Sequence, residues 1–364
     1  MPNSRSIAFV VRQNFESKPG GDADLARGYA RLATEAGADA RIVPFDKLDP
    51  ADFGLVVSFN LDQPLEAYLM ARRCKQMGVR FAIYTLHHKL IWVEKFLRQG
   101  TMGRQRQAIQ LVGANASRYE TLLGVARQVG SMSLGNLAKA RSADRMQRYI
   151  LENAWAVVVA CPGEARTIEQ DFEVKLERAR VIPHYFAADT SRIEAAQGID
   201  LVNAGRIEPR KNQLALALAV EAVPDRSILF VGKKNPKHTE YLAAFDEVVA
   251  RCERVRWVDH VSLETLKSYL RGCRTYIAAS WFEVFSLVDL MAMSYGCHCV
   301  FSQGSYLYDE LGSAGAAFAD PSDLSNLAQL LEVADQRSVT LPDTLHVDGE
   351  QIGKLWQAIE EEGR

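Results

Sequence analysis

The chain has 364 residues, a length that suggests two domains rather than one. Hydrophobic residues make up 48% and charged residues 24%, which excludes a disordered chain, a collagen-like one and a disulfide scaffold. With 43 Lys and Arg against 45 Asp and Glu, the net charge is −2, so no polycation character draws the whole molecule to nucleic acid.

Near the amino end, residues 7–11 form a short apolar run, too brief for a signal segment, and read as a buried strand. The Gly-rich turn Lys18-Pro-Gly-Gly21 follows, and Asp22 is placed to cap a helix whose stripe is Leu25, Tyr29 and Leu32, ending at Gly37. Further strands are predicted at 40–44, 55–59, 81–85, 156–160 and 180–182. Their continuous apolar runs suit a parallel sheet covered on both faces. The stretch 100–145 is less regular, punctuated by glycines, and reads as loop-rich. The alternation restarts with strands at 201–204, 228–231, 255–258, 275–278 and 299–302. The last segment carries Ile352, Leu355, Trp356 and Ile359 at helical spacing.

These patterns predict an α/β protein of two Rossmann-like, doubly wound domains facing a cleft. The expected division is 1–188, 189–345, and a terminal helix over 346–364 packing back on the body. The six cysteines include no Cys-x-x-Cys pair and read as reduced thiols of a cytoplasmic protein. No apolar run approaches the roughly 18 residues that span a bilayer.

The strongest chemical signal is Ala204-Gly-Arg-Ile-Glu-Pro-Arg-Lys-Asn-Gln213, between a strand and a helix. Arg206 and Lys211 flank a Pro-containing turn that can bring both cations to one point. A helix N-terminus beside them, with its unpaired N–H groups, favours a diphosphate. The second signal runs from Ala279 to Gly296: a carboxylate, Glu283, stands in the loop before a strongly apolar helix. Glu283 is suited to accept from sugar hydroxyls, and the backbone N–H groups of Phe285, Ser286 and Leu287 to bind phosphate oxygens. The alternative readings are a solvated basic loop and a carboxylate that merely caps its helix. His87 and His88 stand side by side after the strand 81–85, at the edge where α/β sheets bind ligands.

Together these segments resemble the retaining GT-B glycosyltransferases that use nucleotide sugars, in particular the bacterial polysaccharide, lipopolysaccharide and phosphatidylinositol mannosyltransferases. Gly20-Gly21, Thr85-Leu-His87 and Val181-Ile-Pro183 add to the likeness. The resemblance implies an acceptor-side first domain and a donor-side second domain. It implies that Arg206 and Lys211 hold the donor diphosphate, that Glu283 contacts the transferred sugar, and that His87 approaches that sugar from the first domain. Gly20, Gly21, Gly232, Val284, Phe285, Ser286 and Leu287 would line the donor. It further implies front-face retention of configuration, with no metal and no cofactor beyond the nucleotide-sugar substrate, and a glycan, lipid-linked or small-molecule acceptor. One position departs from the pattern: Met291 stands where the family usually has a second Glu that grips the ribose diol. A thioether cannot accept from two hydroxyls, and Asp289 lies about 200° around the helix from it. Two further readings follow: a degenerate GT-B protein that binds without turnover, and a sugar-nucleotide epimerase.

Other features have plainer readings. Asp22-Ala-Asp24 falls in a helix's first turn, where carboxylates suit the dipole. Cys297 and Cys299 read as buried small hydrophobes. Pro183-His184 reads as a packed hinge histidine. Residues 89–106 carry five cations and Glu94 around Trp92, Phe96 and Leu97. That pattern fits either a core-facing helix with a basic outer face or a peripheral contact with an anionic membrane.

Overall fold

The computed structural model describes residues 6–12, 21–128, 141–185, 193–312, 316–333, 342, 345 and 348–362. Two sheets of six parallel strands organise them. The first takes β1 (Ser6–Val11), β2 (Asp39–Pro44), β3 (Leu55–Phe59), β4 (Arg80–Tyr84), β5 (Ala156–Val159) and β6 (Ala179–Val181) in the order β2-β1-β3-β4-β5-β6. The second takes β7 (Ile199–Ala204), β8 (Ile228–Val231), β9 (Val255–Val258), β10 (Cys273–Ile277), β11 (His298–Ser302) and β12 (Ala317–Ala319) in the order β12-β11-β10-β7-β8-β9. β1, β8 and the inner residues of β7 are buried, as strands covered by helices on both faces must be.

Each sheet reverses its winding once. In the first, β1 lies between β2 and β3; in the second, β7 lies between β8 and β10. Such switch points open a crevice beyond the carboxyl ends of the two strands that flank them. In the second sheet those strands are β7 and β10, tied by a 2.7 Å bond from Asn203 Nδ2 to Ile277 O. The segment rich in cations follows β7, and the Glu283 loop follows β10.

The described residues fall into two units. The first draws on 1–87, 117–187 and 343–364, the second on 88–116 and 188–342. The terminal segment thus joins the first unit, while residues 88–116, expected in the amino-terminal domain, cluster with the second. In the first unit the helix Gly349–Glu361 buries Ile352, Trp356 and Ile359 but leaves Leu355 exposed. The Trp356 ring meets Phe9 edge-on at 5.0 Å and lies 5.6 Å from Tyr29. Gly353 permits this packing, because a Cβ there would stand 2.3 Å from Leu32 O.

Several expectations need correction. Asp22 lies inside the first turn of the helix Gly21–Glu35 rather than capping it, and pairs with Arg12 at 3.2 Å. The stretch read as loop-rich contains the helices Gly103–Val112 and Ala116–Gln128, and the helix Ala143–Asn153 begins at its end. Gly113 stops the first of these, and short helices between glycines leave little apolar periodicity to read. The strand β12 was not expected; three residues with two alanines carry no strand signal. Cys297 and Cys299 are buried as expected, and the Cys297 thiol sits 3.8 Å from Cys273 Sγ. Trp92, Phe96 and Leu97 are buried within the second unit, so this part of the basic segment faces a core.

Replacing Trp356 by Ala empties the centre of an aromatic cluster. It is expected to destabilise the first unit by about 3–5 kcal/mol, measurable by denaturant unfolding, whereas Leu355→Ala should change stability by less than about 0.5 kcal/mol.

Candidate functional site

The loop leaving β7 begins with a close backbone approach. Gly205 and Gly232 both have positive φ, 153° and 145°. A Cβ on Gly232 would stand 2.2 Å from Gly205 O, so no side chain fits between the ends of β7 and β8. Beyond it, Ile207 N donates to Lys233 O at 2.9 Å. Gln213, fully buried, braces the turn: its Nε2 donates to Arg206 O at 2.8 Å and its Oε1 accepts from Glu208 N at 3.3 Å. Pro209–Lys211 then makes one 3-10 turn, and Asn212, at φ 61°, leads into the helix Gln213–Ala222.

Three cations and two carboxylates of this loop and the next form a continuous chain. Arg206 lies 3.5 Å from Glu208, and Glu208 lies 3.5 Å from Arg210 Nε. Arg210 donates to Glu283 Oε1 at 2.7 Å, and Lys211 Nζ contacts the same Oε1. Arg206 and Lys211, the cations expected to converge, therefore occupy opposite ends of one network. Arg206 is 64% exposed and Lys211 17%. Burial alone would raise the Glu283 carboxyl, but the charges of Arg210 and Lys211 outweigh it and hold it at about 2. Glu208 is likewise held low against its burial by Arg210, Arg206 and Lys211.

Backbone bonds fix the same contact. Trp281 N donates to Arg210 O at 2.8 Å, and Glu283 N donates to Gly304 O at 3.2 Å. Arg210 also donates to Phe282 O at 3.2 Å. After Glu283, Val284 and Phe285 are buried. Ser286 then precedes the helix Leu287–Ser294 without capping it through its side chain. In the first turn of that helix Asp289 is buried and accepts from Tyr276 OH at 2.7 Å; burial pushes its carboxyl up to about 7. Met291 is half-buried.

His87 belongs to the first unit and is fully buried. Its Nδ1 lies 2.6 Å from Asp62 and its Nε2 3.0 Å from Asp171. Its backbone N–H donates to Glu164 Oε1 at 2.7 Å, the oxygen that also accepts from Thr85 Oγ1 at 2.6 Å. Burial alone would lower the imidazole, but Asp62 and Asp171 hold it up to about 10, an imidazolium clamped at both nitrogens. Gly21 opens the helix Gly21–Glu35 in this same unit, and Gly20 lies outside the described residues. Sequence reasoning missed Arg210, Glu208, Gln213, Glu164, Asp62 and Asp171. Only Arg210 carried a signal, since it stands next to Lys211 in the same turn.

The fold is GT-B, two Rossmann-like α/β units. Sucrose-phosphate synthase from Thermosynechococcus elongatus has a similar structure, with a TM-score of 0.64 over 99% of this chain and 97% of that one at 16% identity. Anabaena HepE in complex with UDP gives a TM-score of 0.60 over 98% and 95% of the two chains at 14% identity. The apo form of the lipopolysaccharide outer core galactosyltransferase WaaB gives 0.57 over 96% and 94% at 13% identity. The second unit is more specific: residues 198–333 match the family described as glycosyl transferases group 1. No curated protein sequence matches the chain.

The His87 clamp has a pH signature. Because its folded value lies above the unfolded one near 6.5, its stabilisation is complete below about pH 6.5 and is lost as the pH rises through about 10. Thermal unfolding between pH 6 and 10 should therefore show a loss of stability in the wild type that His87→Gln largely lacks.

Proposed function

We propose that the chain is a retaining glycosyltransferase that moves a sugar from a nucleoside-diphosphate sugar to a glycan, lipid-linked or small-molecule acceptor. The observation that carries this reading is the ion-pair chain at the β7–β10 switch point, inside the segment that matches the glycosyl transferases group 1 family. Three cations and a carboxylate held in adjoining loops are what a diphosphate leaving group attached to a sugar requires.

In this reading Arg206 and Lys211, joined by Arg210, take the departing diphosphate. The ammonium of Lys211 moves from Glu283 towards the phosphate oxygens when the donor binds. Glu283, an anion through the whole physiological range, accepts from hydroxyls of the transferred sugar. The backbone from Val284 to Leu287 lies against the phosphates, and Gly232 lets the β8 end come close to the donor. Positioning and charge stabilisation drive the step, with the leaving phosphate accepting the acceptor's proton and no protein nucleophile. The charge on the diphosphate is met by side-chain cations, so the reaction is proposed to need neither metal nor cofactor. HepE has been solved with UDP and with UDP-glucose, which makes uridine donors the first to test. From the first domain, which we assign to the acceptor side, we assign Gly20 and Gly21 to the donor and His87 to the transferred sugar.

We place the protein in the cytoplasm, on the inner face of the membrane where the acceptor is lipid-linked. No helix among the described residues is long and apolar enough to cross a membrane. A surface contact through residues 89–106 would rest on exposed Ile91 and the basic side chains, because Trp92, Phe96 and Leu97 are buried. Met291 favours a second reading, a protein that binds a nucleotide without turnover, since the ribose loses its usual carboxylate.

Incubating the purified protein with UDP-glucose, UDP-galactose and GDP-mannose should release nucleoside diphosphate with at least one of them. Lys211→Ala and Glu283→Gln should each cut that release about a hundredfold or more, the scale of a lost transition-state contact. Binding without release would favour the second reading, and unchanged rates in both variants would contradict the assigned roles.

A further inference from the structure

The ion-pair chain lies beyond the carboxyl ends of β7 and β10. At the opposite, amino end of the same sheet the sequence gathers three cysteines. Cys273 opens β10, Cys297 directly precedes β11, and Cys299 lies within β11. The two strands pair in parallel, Thr275 with His298 and Tyr276 with Cys299, which brings Cys273 and Cys297 together where the strands begin. Their sulfurs are 3.8 Å apart, and the Cys273 thiol donates to the Cys297 sulfur. Both also reach one carbonyl in the last turn of the helix Leu263–Gly272: Cys297 Sγ lies 2.6 Å and Cys273 Sγ 3.4 Å from Leu270 O. Cys299 stands apart from this pair, fully buried and donating to Cys297 O at 3.4 Å.

The two thiols are unequal. The hydrogen bond between them lowers the Cys297 thiol and raises that of Cys273. Cys297 is thus the readier thiolate, the form that attacks an oxidant. Both side chains are buried but close to the surface. Cys273 keeps 8% and Cys297 5% of its exposure, and the neighbouring Arg274 and Gly296 are exposed. Side-chain rotation alone can bring sulfurs at this separation into bonding contact.

We propose that Cys273 and Cys297 form a peroxide-sensitive dithiol, an oxidative modification site that closes a reversible disulfide across the starts of β10 and β11. The Cys297 thiolate attacks one oxygen of the peroxide, the O–O bond breaks, and Cys297 becomes a sulfenic acid as one water leaves. The Cys273 sulfur then attacks the Cys297 sulfur, the S–S bond forms, and a second water leaves. Each sulfur is oxidised by one electron, both peroxide oxygens are reduced to water, and the two thiol protons depart in those waters. Leu270 O loses both thiol donors. The crosslink encloses the rest of β10, the Glu283 loop and the helix Leu287–Ser294 in one covalent ring. A pair of this kind suits an intracellular chain, where disulfides are chiefly transient and redox-sensing. The proposal stands independently of the glycosyltransferase reading.

The test treats the native wild type with hydrogen peroxide in the absence of denaturant. Remaining thiols are blocked with iodoacetamide, and the peptides are mapped by mass spectrometry. The expected product has lost two hydrogens, carries a Cys273–Cys297 link, and returns to the thiols with dithiothreitol. Cys273→Ala should abolish the link, and Cys299→Ala should retain it. The linked form should unfold about 5 °C or more above the reduced form, because closing a loop of this length restricts the unfolded chain. Peroxide-treated Cys273→Ala should show no such rise. A link between other cysteines, oxidation of Cys297 without a link, or intact thiols after an exposure that oxidises glutathione would each overturn the proposal. So would a linked form that unfolds below the reduced one, since the native fold would then resist the bond.

Discussion

The contact of Arg210 and Lys211 with Glu283 holds the second unit's site together. It joins the loop after β7 to the loop after β10, the two strands that flank the switch point of the sheet. Burial raises a carboxylate only 12% exposed when no cations are near, and a guanidinium in the same place would be costly without an anion. Each makes the other tolerable. Removing one partner of such a pair leaves a buried charge uncompensated, at a cost of about 3–5 kcal/mol. The backbone bonds from Trp281 to Arg210 and from Glu283 to Gly304 show that the surrounding chain is built to this geometry as well.

The same arrangement fits a ligand whose charge is shared among several groups. The carboxylates neutralise the cations, and Arg206 at the exposed end of the chain pairs only loosely with Glu208 at 3.5 Å. In the proposed function a diphosphate displaces the carboxylates from the cations, leaving Glu283 ionised to face the sugar. Asp289, one turn into the following helix, adds no full charge at this point, because burial raises it to about 7 and Tyr276 holds its oxygen. It therefore does not supply the second carboxylate that the family resemblance would place at Met291.

Much of the fold was legible because parallel strands covered on both faces must be apolar throughout. Eleven of the strands were readable on that ground to within two residues at either end, and Leu25, Tyr29 and Leu32 marked the buried face of the first helix. β12 was not, because alanines pack wherever space allows and signal no particular period. Within the site, Arg206, Lys211 and Glu283 could be named because strand, turn and helix signals surround them. Their pairing could not: a turn holding three cations gives no sign of which one reaches a carboxylate more than seventy residues downstream. The clamp on His87 was also hidden, since it depends on Asp62, Asp171 and Glu164, which are brought to His87 only by the folded sheet.

If the cations of the β7 loop exist to bind a pyrophosphoryl group, and Met291 has given up the ribose contact, phosphate should dominate nucleotide recognition. Calorimetric titration of UDP and of uridine into the wild type and Lys211→Ala measures this directly. The expected result is heat from UDP, none from uridine at the same concentration, and UDP affinity weakened about tenfold or more by the substitution. Equal binding of UDP and uridine, or UDP binding indifferent to Lys211, would contradict the role given to these charges.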